Sequence, residues 1–155
     1  MSTRVPALAV MLIALTAATA PTAAGNTDAS PDDDGTRRAK STARRAALLA
    51  EKQDWPAAEA AYREAVAADP EYAEGWNGLG HTLAKQNRPD EALDAYDEAL
   101  RIEPDHAQAL ERLGVTYVAM GRIEDAEAIL VRLRPIDSRR GATLGHVIAV
   151  GRGER

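Results

Sequence analysis

The 155-residue chain has no cysteine. This excludes disulfides, thiolate catalysis and zinc–thiolate sites, and also the acylated cysteine that anchors a bacterial lipoprotein. Phenylalanine is absent and aromatic residues make up only 4%, so the apolar share comes mostly from Ala, Leu and Val, which suits closely packed helices. The three histidines, His81, His106 and His146, stand far apart and no HExxH occurs, so no metal site is expected. Ser41, Ser138 and the threonines lack a Gly-x-Ser-x-Gly setting, and no phosphate-binding loop is present. We assign no catalytic residue, no metal and no cofactor, and the chain does not read as an enzyme. Positive charge is also short. A net charge of -5 argues against general affinity for nucleic acid. Basic residues gather at an entry (Arg37, Arg38, Lys40, Arg44, Arg45) and an exit (Arg132, Arg134, Arg139, Arg140, Arg152, Arg155) around an acidic middle. These ends read as solvated faces or as a docking patch for an acidic partner.

The longest apolar stretch lies at the start. Arg4 precedes an uncharged run over residues 7–20, and small residues follow. Charge, short apolar run and small residues form the three-part pattern of a secretory signal peptide. The run falls short of the ~20 residues that a membrane span needs, so cleavage is expected rather than anchoring. Thr22-x-Ala24 is the preferred cleavage motif, because Pro21 disfavours cutting after Ala20. The alternative is a retained anchor, the only route by which a membrane enters. Residues 1–24 are thus read as a signal peptide and residues 25–37 as a disordered acidic linker. Asp32, Asp33 and Asp34 there lack the alternating ligands and distal Glu of a calcium loop.

What the chain does have is a phrase repeated every 34 residues. Trp76, Leu79, Gly80 and Leu83 are spaced i, i+3, i+4, i+7, one face of a helix, and Ala92, Ala95, Tyr96, Ala99 and Leu100 repeat that spacing. Pro89 between the two runs suits a first helical turn, and Pro104 stops the second run. Moving forward one period gives Leu110, Leu113, Gly114, Tyr117, Ala126 and Leu130. Moving back gives Ala58, Tyr62, Ala65, Asp69 and Pro70. A period of this length predicts stacked pairs of antiparallel helices, each pair needing a neighbour to bury its apolar faces. Gly80, Ala92 and Ala99 let two backbones approach, and Trp76, Leu83 and Tyr96 are expected to fill the space beside them, with Trp76 buried. Glu59/Arg63 and Asp97/Arg101, both i, i+4 pairs, are read as helix-surface pairs that aid solubility.

The pattern Trp76-x2-Leu79-Gly80-x2-Leu83, Ala92-x3-Tyr96-x2-Ala99 and Pro104 resembles a tetratricopeptide repeat (TPR). The resemblance covers residues 39 to about 140. It implies an all-α fold, an α-solenoid of about three antiparallel helix-turn-helix units at about 39–72, 73–106 and 107–140, within a domain at 38–140. The middle unit fits best. In the first, Thr42, Arg45 and Ala46 stand where a large apolar residue, Leu and Gly are expected, which leaves its first helix frayed or a polar cap. In the third, Leu133 replaces a small residue, and Arg134-Pro135 is expected to end the second helix early. Residues 141–155 read either as a short capping helix or as a disordered tail, since four glycines weaken any helix there.

The resemblance also implies a curved stack whose first helices line a concave groove, and a non-catalytic role in binding a protein or peptide. Positions on those helices not claimed by packing are Glu74, Asn77, Gly78, His81 and Lys85, then Gln108, Glu111, Arg112 and Val115, with Lys40, Arg44, Ala47 and Glu51 in the first unit. Of these, Arg44, Glu74, Asn77, His81, Lys85, Gln108, Glu111, Arg112 and Val115 are the candidate partner-binding residues. His81 is also a candidate pH-sensitive contact. Chaperone-adaptor TPR domains clamp a C-terminal carboxylate with Lys, Asn, Asn, Lys and Arg. The matching positions here are Ala43, Ala47, Gly78, Gln108 and Arg112, of which only Arg112 agrees, so that clamp is not expected. The expected function is an interaction module or adaptor, periplasmic or secreted. The alternative is a structural, homo-oligomeric protein whose open array ends stack, suggested by Leu133 and the apolar tail.

Overall fold

Seven α-helices occupy residues 31–153, the part of the chain that the computed structural model describes: α1 Pro31–Glu51, α2 Trp55–Ala68, α3 Ala73–Lys85, α4 Pro89–Ile102, α5 Ala107–Ala119, α6 Ile123–Ile136 and α7 Ser138–Gly151. No strand occurs among the described residues. The residues read as a signal peptide, and those read as linker up to residue 30, lie outside them. The pairs α1/α2, α3/α4 and α5/α6 are hairpins, and the first helices α1, α3, α5 and α7 contact one another in succession along one side. The molecule is an α-solenoid.

The period seen in the sequence reappears as geometry. Gln53, Asn87 and Gly121 each sit at the turn of a hairpin with positive φ, +61°, +59° and +76°. Asp69, Glu103 and Asp137 each close a second helix, Asp69 and Asp137 in extended conformation, their N–H bonded to the carbonyl four residues back. Ala58, Ala92 and Ala126 are fully enclosed, as are Ala65, Ala99 and Leu133. Gly80 is required by packing. A Cβ there would lie 2.7 Å from the Tyr96 ring and 3.1 Å from the Ala92 carbonyl, so α3 and α4 touch backbone to ring at that point.

Several expectations need correction. The first helix of the first unit is neither frayed nor short. It begins at Pro31, so residues 31–37 belong to a helix and not to the linker. Proline suits a first turn and acidic residues are favoured at the positive end of a helix. Tertiary contact reinforces this, since Thr36 Oγ1 donates to Asp69 Oδ2 at 2.7 Å. Pro135 does not stop α6, which runs to Ile136. The bond that Pro135 cannot donate would go to the carbonyl of Val131, a residue 73% exposed, so water can satisfy it. Trp76 is only half-buried. It packs against the core, and its Nε1 donates to the Pro70 carbonyl at 2.8 Å, which draws the ring toward the repeat boundary.

Two polar readings change as well. Glu59 is buried, and it accepts from Arg88 Nη1 at 2.8 Å and Gln86 Nε2 at 2.5 Å as well as pairing with Arg63. It ties α2 to the following hairpin and is not a solubility residue. Burial alone would raise its pKa, but the hydrogen bonds from Arg88 and Gln86 and the Arg63 charge hold it below the usual value. Arg101 pairs with Glu98 at 2.8 Å and Glu71 at 2.9 Å, and not with Asp97.

The tail forms α7. Asp137 caps it by accepting from Arg140 N at 3.0 Å. Leu144 and Ile148 are buried against α5 and α6, and Leu144 lies over Gly114, where a Cβ would come within 2.5 Å. Burial of these two side chains outweighs the weak intrinsic helicity of a glycine-rich segment. Of the apolar tail residues that suggested end-to-end stacking, Leu144 and Ile148 are used within one chain, whereas Val150 stays 60% exposed.

Candidate functional site: the concave groove

The groove is built from α1, α3, α5 and α7, and its middle is held by Asn77. This side chain has no exposed surface. Its Nδ2 donates to Gln108 Oε1 at 3.1 Å and to Glu74 at 3.4 Å, while its Oδ1 accepts from Arg112 Nη1 at 3.0 Å. Asn77 and Gln108, expected as contact residues, are therefore spent on joining α3 to α5. Glu74 is also engaged, with its Oε2 3.1 Å from His106 Nε2. Glu111 pairs with Arg140 from α7, and Arg140 also lies 3.3 Å from Asp137.

Cavities open along the groove, including one where Glu111 of α5 faces Arg139, Arg140 and Thr143 of α7. Another, of about 410 Å³, lies between α3 and α5 and brings together five of the expected residues, His81, Lys85, Glu111, Arg112 and Val115. Its walls also include Ala84, Tyr96, Ala119 and Met120, which sequence reasoning missed. Ala84 and Ala119 lie three and four residues beyond His81 and Val115, so extending the same helix face one turn would have found them. Tyr96 had been assigned wholly to packing. A further cavity, about 280 Å³, gathers Arg44 and Glu74 with Lys40, Tyr62 and Tyr72 near the start of the stack. Arg44 is thus placed in a different subsite from Arg112.

Electrostatics differ from wall to wall. Among the described residues Lys85 and Arg112 have no ion pair, and Arg112, which lines the α3–α5 cavity, has protein partners only at Nη1, leaving Nε and Nη2 without one. His81 stands edge-on to Trp55, with ring centroids 6.2 Å apart and planes at 86°. Burial, reinforced by the Arg112 and Lys85 charges, pushes its pKa down to about 4. It is therefore neutral across the range from pH 5 to 8, and the expected role as a pH-sensitive contact near neutrality does not hold. The ring is a polar, uncharged wall. Among the described residues no group of three His, Asp or Glu side chains is placed to hold a metal ion, and no helix is long and apolar enough to cross a membrane.

A superhelix of paired helices with a lined inner face defines an all-α helical-repeat protein. Two tetratricopeptide-repeat models match the chain, one over residues 43–105 and another over residues 83–144. No curated protein matches in sequence. Among solved structures the chain is similar to the TPR2B domain of yeast Sti1 in complex with an Hsp70 peptide (TM-score 0.71, 22% identity, 77% of this chain and 99% of that one). It is also similar to the first TPR of Spaghetti (RPAP3) bound to the HSP90 peptide SRMEEVD (0.71, 13%, 76% and 95%) and to the Arabidopsis OM64 TPR domain (0.70, 13%, 74% and 96%). At these identities the likeness shows the fold.

Proposed function

We propose that the protein is a non-catalytic interaction module that binds an extended segment of another polypeptide in its concave groove. The observation that carries this is the cavity between α3 and α5, where the sequence-predicted residues His81, Lys85, Arg112 and Val115 converge. The similar folds of Sti1 and Spaghetti are seen with peptides bound, which supports the same use of this fold. The peptide tails they hold do not transfer directly. Of the five clamp positions only Arg112 agrees, and the Tyr62 ring fills the space beside Gly78, so no larger side chain fits there. The N-terminal sequence supports export, and we propose that the module works in the periplasm or after secretion, with cleavage following Ala24.

Photo-crosslinking tests the groove. A crosslinking side chain at position 115, on the inner face, is expected to trap a partner. One at position 131, on α6 and exposed, is expected to trap none. Equal capture at both, or capture at 131 alone, overturns the groove reading. Terminal sequencing of the expressed protein tests export separately: a chain beginning at Gly25 supports it, and one retaining Met1 in the cytoplasm overturns it.

A further inference from the structure

On the reading that the groove binds an extended segment, we propose that the α3–α5 cavity selects an internal stretch of the partner in which an acidic residue stands beside a large apolar one. Arg112 and Lys85 hold the carboxylate, and Ala84, Val115, Ala119 and Met120 surround the apolar side chain.

The charge balance of the cavity leads to this occupant. Three charged side chains line it, Lys85, Glu111 and Arg112. The only carboxylate, Glu111, is paired with Arg140, which it shares with Asp137, whereas neither cation has an ion pair among the described residues. Arg112 is also pre-positioned. Its Nη1 is fixed on the Asn77 side chain at 3.0 Å and on the Asn77 carbonyl at 3.4 Å, so its open Nε and Nη2 edge loses little freedom on binding. A guanidinium edge presented this way matches a carboxylate in two parallel hydrogen bonds. His81, held neutral, leaves Lys85 and Arg112 as the cations of the cavity. Val115 is 39% exposed on the same wall, an apolar surface that a partner side chain would remove from water. The acid is placed inside the partner's chain and not at its C-terminus, because Ala43, Ala47, Gly78 and Gln108 supply none of the other donors that enclose a terminal carboxylate.

The test uses the full chain and random dodecapeptides displayed with both ends fused. Selection is expected to enrich Asp or Glu next to Leu, Ile, Met or Phe. Synthetic versions should bind equally well with amidated and free C-termini. Lys85→Glu and Ala119→Trp, both at exposed positions, should each weaken binding about tenfold or more, with circular dichroism and melting unchanged. Enriched peptides that lack an acid, or that bind both variants as wild type, overturn the cavity assignment while leaving groove recognition standing. Loss of binding on amidation overturns the internal placement. Enrichment of no peptide at all overturns both readings.

Discussion

With no exposed surface and partners on α3 and α5, Asn77 is the joint of the groove's middle, and its neighbour Arg112 depends on it. Asn77→Ala removes the Gln108 and Arg112 bonds together. Urea denaturation should show a loss of about 2 kcal/mol, and groove ligands should bind less well although Asn77 touches none. His81 makes a pH prediction. Its unfolded value is 6.5 and its folded value about 4. Between these the unfolded chain takes up a proton that the folded one refuses. The stabilisation is therefore complete above about pH 6.5 and is lost as the pH falls toward 4. His81→Asn should flatten that part of the stability–pH curve relative to wild type, and an unchanged slope would contradict the assignment. At this scale the sequence told which helix face each residue occupies. It could not tell Asn77 the joint from Lys85 the open cation, because the partners that decide it, Gln108 and Arg112, lie 31 and 35 residues away.

Helices were legible where apolar spacing repeats and less so at their ends, where contacts distant in sequence act. The extension of α1 to Pro31 depends on contacts such as that of Thr36 with Asp69, 33 residues distant, which local composition does not reveal. Proline chemistry reads Pro135 as a stop, yet the residue whose carbonyl it deprives, Val131, is 73% exposed. The hairpin turns show the same limit. A left-handed residue is needed at each, but only the third unit places glycine there, at Gly121. The first places Gln53 in a conformation that costs a non-glycine residue roughly 1–2 kcal/mol. Gln53→Gly relieves this against a loss of roughly 0.4–1 kcal/mol through the unfolded state. Net stabilisation of about 0.5 kcal/mol is expected, read as a melting temperature about 2 °C higher. A lower melting temperature would show that Gln53 is not strained.

The stacking of the whole molecule was the most legible feature, since a fixed 34-residue period leaves few other ways to bury both faces of each helix pair. Its termination was not. Residues 141–155 offered a cap or a tail, and burial of Leu144 and Ile148 in the structure selects the cap. Deleting residues 138–155 should cost about 3–6 kcal/mol, from two large side chains at about 1.5–3 kcal/mol each, an upper estimate. The truncated chain should melt lower and bind a hydrophobic dye. Truncation without either effect would mean that α7 is not part of the stack. The groove reading is tested most directly by following methyl resonances of the full chain as a selected acidic–apolar peptide is added. The account predicts shifts at Ala84, Val115, Ala119 and Met120, with Val131 and Val150 unmoved. Shifts confined to Val131 or Val150, with the inner wall silent, would contradict it.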